Sequence, residues 1–138
     1  MTDSAYPTLV HTAIDARDPR ALAEFYRELL GLHYRDRDLP PVDGSHDAPT
    51  WIVLLDEAGR RVVTIQRKDD TVPPTWPSEA VPMQMPMDFA VRDVIELERH
   101  RDRAIALGAR LLHDRTDVTD APLYVLADPA GHPFCLVV

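Results

Sequence analysis

Two stretches of this sequence share a frame, but only one of them carries an imidazole. The stretch "VHTAIDARD", residues 10–18, contains His11, and "MPMDFAVRD", residues 85–93, has Pro86 at the matching place. Imidazole binds metal ions or moves protons near neutral pH, whereas proline has no side-chain donor. If position 86 faces inward, strand alternation directs Asp88 the same way, and with His11 it becomes a candidate for acid–base catalysis. The favoured alternative is that these groups orient a ligand without catalysing a reaction.

Each stretch opens a β-α-β-β-β unit. Thr8–Asp15 has the apolar and β-branched residues of a strand. Asp18 and Pro19 are typical of a helix start, and Gly31 of its end. "LHYRDRD" predicts a short strand, and "TWIVLLDEAGRRVVTIQRK" predicts two more around a turn. Residues 69–84 follow as a proline-rich linker, because prolines cannot donate to a helix or a central strand.

The second unit repeats this order. "MDFAVRD" predicts a strand, and Asp93 with Glu96 has the spacing of a capping box before a helix that ends at Gly108. "ARLLHD" and "APLYVLADPAGHPFCLVV" predict the last three strands. We therefore predict an α+β fold in which two tandem βαβββ modules form a curved eight-stranded sheet, a cup with the helices on the outside. A small ligand is expected on the concave side.

The composition argues against several classes of partner. The chain of 138 residues has a formal net charge of −8, which disfavours nucleic acid, because binding to phosphates needs clustered Lys and Arg. No apolar run approaches the roughly 20 residues that cross a membrane, and the start lacks the features of a secretory signal. We therefore expect no membrane partner and a cytoplasmic location. The single cysteine, Cys135, is interpreted as a small buried hydrophobe, since no basic neighbour in the sequence would stabilise its thiolate.

The sequence resembles the vicinal oxygen chelate superfamily over nearly its whole length. The resemblance lies in "VHTAIDARDPRALAEFYRELLGL" and in the Asp-Pro-x-Gly turn of "ADPAGHPFCLVV". It implies one glyoxalase-like domain over residues 1–138, with modules at about 7–68 and 85–138, and a homodimer. The superfamily contains glyoxalase, bleomycin-resistance proteins, fosfomycin-resistance enzymes and extradiol dioxygenases, so it implies a scaffold rather than one reaction.

Catalytic members of this superfamily hold one divalent metal ion with four inward side chains. The matching positions in this sequence are His11, Gln66, Pro86 and Cys135. They offer an imidazole, an amide and a thiol without a carboxylate, which is a poor set for Mg²⁺, Mn²⁺ or Fe²⁺ and a weak one for catalytic Zn²⁺. We therefore expect no metal cofactor and treat the four residues as vestigial positions around a ligand cavity.

The expected function is the binding of a small, largely apolar or aromatic molecule in that cavity, as in resistance by sequestration. Trp51, Tyr124 and Asp88 are further ligand-binding candidates. Trp76 in the linker is expected either at the mouth of the cavity or an intersubunit surface, or packed over a sheet edge. His132, like four other histidines, is interpreted as exposed.

The alternative function is an enzyme of the same superfamily. It would be a metal-dependent lyase, isomerase or dioxygenase using His11 and Gln66, or a metal-free acid–base catalyst using Asp88 and His11. Metal content and the binding of small aromatic compounds separate these alternatives.

Overall fold

The computed structural model describes residues 6–138. Its first half contains β1 (Thr12–Ala16), α1 (Pro19–Leu30), β2 (His33–Tyr34), a short 3₁₀ helix (Asp36–Asp38), β3 (Trp51–Leu55) and β4 (Arg61–Arg67). Its second half contains β5 (Met87–Ala90), α2 (Val94–Ala106), β6 (Arg110–Asp114), β7 (Leu123–Ala127) and β8 (Pro133–Val137). The predicted α+β class and the two tandem βαβββ modules are confirmed.

The strands form two four-stranded sheets with the same topology. Their orders are β1-β4-β3-β2 and β5-β8-β7-β6. In each sheet the first strand runs parallel to the last one, and the other neighbours are antiparallel. Within residues 6–138, the eight strands predicted for the cup are thus divided into two hydrogen-bonded halves.

The helices begin and end where their capping residues predict. The Asp18 carboxylate accepts a hydrogen bond from the Ala21 N–H (3.1 Å), and Pro19 is the first residue of α1. Gly31 ends α1 at φ +66°, a left-handed conformation that glycine adopts without strain. The Asp93 carboxylate accepts from the Glu96 N–H (2.8 Å) at the start of α2. Local sequence therefore determines the helix boundaries.

Three strands are shorter than predicted. The first begins at Thr12, paired with Val63 of β4, instead of at Thr8. The fifth begins at Met87 as predicted, where it pairs with Phe134 directly after two prolines without an N–H, but it ends at Ala90. The segment "LHYRDRD" has only a two-residue strand before the 3₁₀ helix.

One core joins the two modules. Tyr26 of α1 is fully buried, and its ring lies 6.2 Å from that of Phe134 and 6.1 Å from that of Phe89, both in the second sheet. The Tyr26 hydroxyl donates to the Asp128 carboxylate (2.6 Å) in the turn between β7 and β8. Because each such side chain contributes about 1.5–3 kcal/mol through burial, the helix of one module stabilises the sheet of the other.

Strand alternation presents a second set of side chains on the sheet faces that the helices do not cover. In the first sheet, Asp15, Gln66 and Trp51 lie side by side in register. In the second sheet, Asp88 lies beside Cys135. We call these the inner faces of the two sheets, since the side chains of the shared core alternate with them along each strand.

Candidate ligand cavity

A cavity of about 550 Å³ lies where the first module meets the start of the second. The residues around it come from β1, from the end of β4, from the segment of residues 68–86 and from the start of β8. They are Ala13, Ile14, Asp15, Gln66, Lys68, Asp70, Thr71, Val72, Pro74, Val81, Pro82, Met83, Gln84, Met85, Pro86, His132 and Pro133. We call this space the inter-module cavity and residues 68–86 the proline-rich segment.

Specific contacts hold the proline-rich segment in place. Arg17 donates from Nη2 to the Thr71 carbonyl (3.0 Å). The Thr75 N–H donates to the Val81 carbonyl (2.8 Å), which closes a loop further along the segment. Pro73 packs against Gly131 so closely that a Cβ atom at Gly131 would lie 2.5 Å from the Pro73 Cβ. One wall of the cavity is therefore fixed to Arg17, the residue after β1, and to the turn before β8.

Asp15 is the polar centre of the cavity. Its carboxylate Oδ1 accepts from Gln66 Nε2 (2.6 Å), and its main-chain oxygen accepts from His132 Nε2 (2.6 Å). Asp15 and Gln66 belong to the first module, whereas His132 follows the turn before β8 in the second. The inner face of the first sheet and this turn thus meet at one residue.

Lys68 and Asp70 form an exposed ion pair at the edge of the cavity. Lys68 Nζ lies 2.8 Å from Asp70 Oδ1. The hydrogen bond with Asp70 raises the pKa of Lys68, and the same bond lowers the pKa of Asp70. Such an exposed pair contributes little to stability, but it leaves the ammonium group of Lys68 already occupied by a carboxylate.

Apolar side chains form most of the opposite wall. They are the prolines, methionines and valines of the proline-rich segment: Val72, Pro74, Val81, Pro82, Met83, Met85 and Pro86. Prolines keep this wall stiff, whereas methionine side chains adapt to irregular shapes. The wall suits a compact apolar body beside a few fixed polar groups.

The structure brings only two of the predicted site residues to this cavity. Gln66 and Pro86 line it. His11 packs edge-on against Trp51, with 5.7 Å between the ring centroids, and neither residue lines the cavity. His11 Nδ1 is buried and has no hydrogen-bond partner within residues 6–138.

Asp88 and Cys135 lie together on the inner face of the second sheet. They are register partners in the parallel pair β5–β8, and neither lines the inter-module cavity. Burial, together with the hydrogen bond to Asp88, raises the pKa of the Cys135 thiol to about 11. The thiol is therefore protonated at neutral pH, in agreement with its interpretation as an unreactive cysteine.

Tyr124 does not face the ligand cavity. It lies in the shared core beneath α2, where Arg101 donates to its hydroxyl (2.7 Å) and stacks over its ring. Tyr124 was expected to bind a ligand, but this residue of β7 points to the helix side of the sheet, away from the cavity. The expectation is therefore wrong. Trp76 packs against His113 of β6, with 6.0 Å between the ring centroids, which is the sheet-edge alternative.

The sequence interpretation missed His132. This histidine was expected to be exposed, but it is half-buried and lines the cavity. The turn causes this placement, because the Asp128 N–H donates to the His132 carbonyl (2.9 Å) and the His132 N–H donates to Asp128 Oδ1 (3.0 Å). The Asp-Pro-x-Gly turn was recognisable in the sequence, but its contact with β1 was not.

The four residues at the superfamily's metal positions do not fit a resident divalent ion. Gln66 donates to Asp15, Pro86 has no donor atom, His11 packs on Trp51, and Cys135 keeps its proton. In the part of the chain that the structure describes, no three His, Cys, Asp or Glu side chains are grouped so that they could hold a metal ion.

Two tandem βαβββ modules that share one core and enclose a cavity define the class of proteins with a vicinal oxygen chelate fold. The family model of the glyoxalase-like domain matches residues 11–137, and the chain belongs to this family. No curated protein matches the chain.

Solved structures with this fold cover nearly the whole chain. A possible glyoxalase from Bacillus cereus has a TM-score of 0.65 at 14% identity and covers 95% of this chain and 98% of its own. A glyoxalase/bleomycin resistance protein/dioxygenase family enzyme from Burkholderia phytofirmans PsJN has a TM-score of 0.66 at 18% identity, over 93% and 95% of the two chains. The fosfomycin resistance protein FosX from Listeria monocytogenes has a TM-score of 0.67 at 16% identity, over 96% and 93%. At these identities the likeness shows the fold alone.

Neither helix in the described part of the chain has the length and apolar character needed to span a membrane.

Proposed function

We propose that this protein binds a small, largely apolar or aromatic molecule in the inter-module cavity, without a metal ion. The observation that carries the proposal is the cavity itself, a space of about 550 Å³ with an apolar wall and a few fixed polar groups around Asp15. Pockets for small organic ligands commonly have this composition and this range of volumes. Sequestration of a toxic compound is one form that such binding takes.

The donor chemistry favours binding over the enzymatic alternative. A metal-dependent lyase, isomerase or dioxygenase needs at least three suitable ligands, and Pro86 offers none. A catalyst that pairs His11 with Asp88 is not favoured either, because both residues lie outside the cavity.

A thermal-shift experiment tests the cavity. Benzyl alcohol, phenol and indole are the probes, and a compound that binds only the folded protein raises its Tm. The variant Ala13→Trp fills the cavity from β1 and should abolish the shift. Ala58→Trp adds the same ring in the exposed turn between β3 and β4 and should retain it. Equal shifts in the two variants would contradict the proposed site.

Metal analysis tests the second part of the proposal. Protein purified without a chelator should contain no stoichiometric Fe, Mn, Ni or Zn by mass spectrometry, and probe binding should be the same with and without EDTA. A near-stoichiometric metal that disappears in His11→Ala and is needed for probe binding would overturn the metal-free assignment.

We further propose that the protein is a homodimer in the cytoplasm. Within residues 6–138, β1 and β5 pair with no strand on their outer sides. Leu9 and Met85 beside them are 88% and 86% exposed, and a second copy would cover this apolar surface. Light scattering should give about twice the chain mass of 15.6 kDa, and cell fractionation checks the location.

A further inference from the structure

Around Asp15, the polar atoms that remain free in the inter-module cavity are hydrogen-bond acceptors, whereas the exposed Gln84 at its edge offers an amide with both a donor and an acceptor. Within the described residues, Asp15 Oδ2 and Gln66 Oε1 have no hydrogen-bond partner, since the pair is joined through Asp15 Oδ1 and Gln66 Nε2. His132 Nε2 donates to the Asp15 carbonyl, so this N–H is not available to a ligand. A ligand that satisfies these atoms must bring donors.

The charge of the cavity also favours a ligand that brings hydrogen-bond donors. Among the lining residues, Lys68 is the one Lys or Arg, and Asp70 already pairs with it. The carboxylate of Asp15 is half-buried and forms no direct ion pair within residues 6–138. Lys68 attracts it only from a longer distance, while the Lys68 ammonium group is bound to Asp70. Half-buried charges are screened less by salt than exposed ones, and the net charge of −8 attracts cations to the whole molecule.

We propose that the inter-module cavity selects a small organic cation, in which a primary ammonium or amidinium group is attached to a compact apolar body. The cation bonds to Asp15 Oδ2 and Gln66 Oε1, and the apolar body lies against the prolines and methionines of the opposite wall. This inference rests on the proposed function, because it uses the same cavity, and it adds the chemical class of the ligand.

An anionic ligand of the same shape does not fit this site. Its charge would face the Asp15 carboxylate, and the ammonium group of Lys68 is engaged by Asp70. A neutral ligand would leave the Asp15 charge uncompensated, although it could still fill the apolar part. The expected order of affinity is therefore cation, neutral molecule, anion.

Calorimetric titration with three probes of matched shape tests this order. Benzylamine should bind roughly ten- to a hundredfold more tightly than benzyl alcohol, because a hydrogen bond to a charged group contributes more than a neutral one. Benzoate should bind most weakly. The comparison uses the unaltered protein, so it does not depend on the folding of a variant.

A pair of charge-removing variants tests the role of Asp15. Asp15→Asn keeps an acceptor for Gln66 and should weaken benzylamine binding roughly tenfold or more while benzyl alcohol binds as before. Glu57→Gln removes the same charge from the exposed turn between β3 and β4 and should change neither affinity by more than about twofold.

The outcomes separate this inference from the proposed function. If benzyl alcohol binds and benzylamine binds no more tightly, the cavity stands and the cation inference fails. If the two variants weaken benzylamine binding equally, Asp15 is not the recognition group. If none of the three probes binds, both proposals fail.

Discussion

Cys135 shows how one neighbour sets the chemistry of a side chain. Alone in the sequence, it was interpreted as an inert thiol because no basic residue lies beside it. The structure adds a carboxylate, since Asp88 is its register partner in β5 and the hydrogen bond between them raises the thiol pKa further. The residues at two predicted site positions therefore act on each other, away from the inter-module cavity.

We predict that Asp88→Asn shifts the ionisation of Cys135 to lower pH. The rate of alkylation by iodoacetamide follows the thiolate, so the wild-type profile should rise with an apparent pKa of about 11 and the variant profile at a lower pH. Asp114→Asn, in the same sheet, is the control and should leave the profile unchanged. Coincident profiles for Asp88→Asn and the wild type would show that burial alone sets the value.

The same raised pKa has a consequence for stability. The folded value of about 11 lies above the ordinary value of 9.0, so the protonated thiol stabilises the fold fully below pH 9. This contribution is lost as the pH rises through about 11. Comparing the free energy of unfolding of the wild type and Cys135→Ala over this range measures it.

At the scale of elements, the turn between β7 and β8 is joined to the proline-rich segment by one close contact. Gly131 has a φ of +95° and leaves no room for a Cβ beside Pro73, whereas Gly59 has a similar φ of +79° with open space around it. Replacing each glycine by alanine therefore separates the energetic cost of the backbone conformation from the cost of steric overlap.

We expect Gly131→Ala to destabilise the protein more than Gly59→Ala. The positive φ alone costs about 1–2 kcal/mol in each variant, and the overlap with Pro73 adds about 1–3 kcal/mol at Gly131. Urea denaturation measures both losses. Equal losses would mean that the proline-rich segment moves away from the turn without cost.

The elements also show what the sequence could predict. Caps are local, so the start of α1 at Asp18 and that of α2 at Asp93 were predictable. The start of β1 was not, because it depends on how far its pairing with β4 extends. The contact of His132 with Asp15 was not predictable either, because it depends on how the second module packs on the first. The direction of Tyr124 is set within the second module, by which face of β7 lies beneath α2, and the residue spacing left that open.

At the scale of the whole molecule, the two modules depend on a common core. Phe134 of the second sheet packs against both Phe25 and Tyr26 of α1, and Arg103 of α2 donates to the Glu28 carbonyl at 2.9 Å. Neither module encloses its own apolar residues completely. We therefore expect the chain to unfold as one unit.

Phe134→Ala tests this expectation. The substitution should cost about 3–5 kcal/mol, and it should move the transition seen by tryptophan fluorescence together with that seen by circular dichroism. Trp51 lies in the first sheet, whereas Trp76 packs against His113 of the second. Fluorescence measured in a Trp76→Phe background therefore reports a change transmitted from β8 to the first module. Phe134→Leu is the milder variant. Two separate transitions would show that the modules fold independently.

Pro86 also affects whether a strand of another chain can pair with the edge of the second sheet. It precedes β5, an edge strand of four residues, and it faces Pro133 at the start of β8. Neither proline has an N–H to offer, so an intruding peptide cannot extend the ladder beyond this point. The residue at the vestigial metal position thereby also limits the length of sheet edge with which another strand could pair.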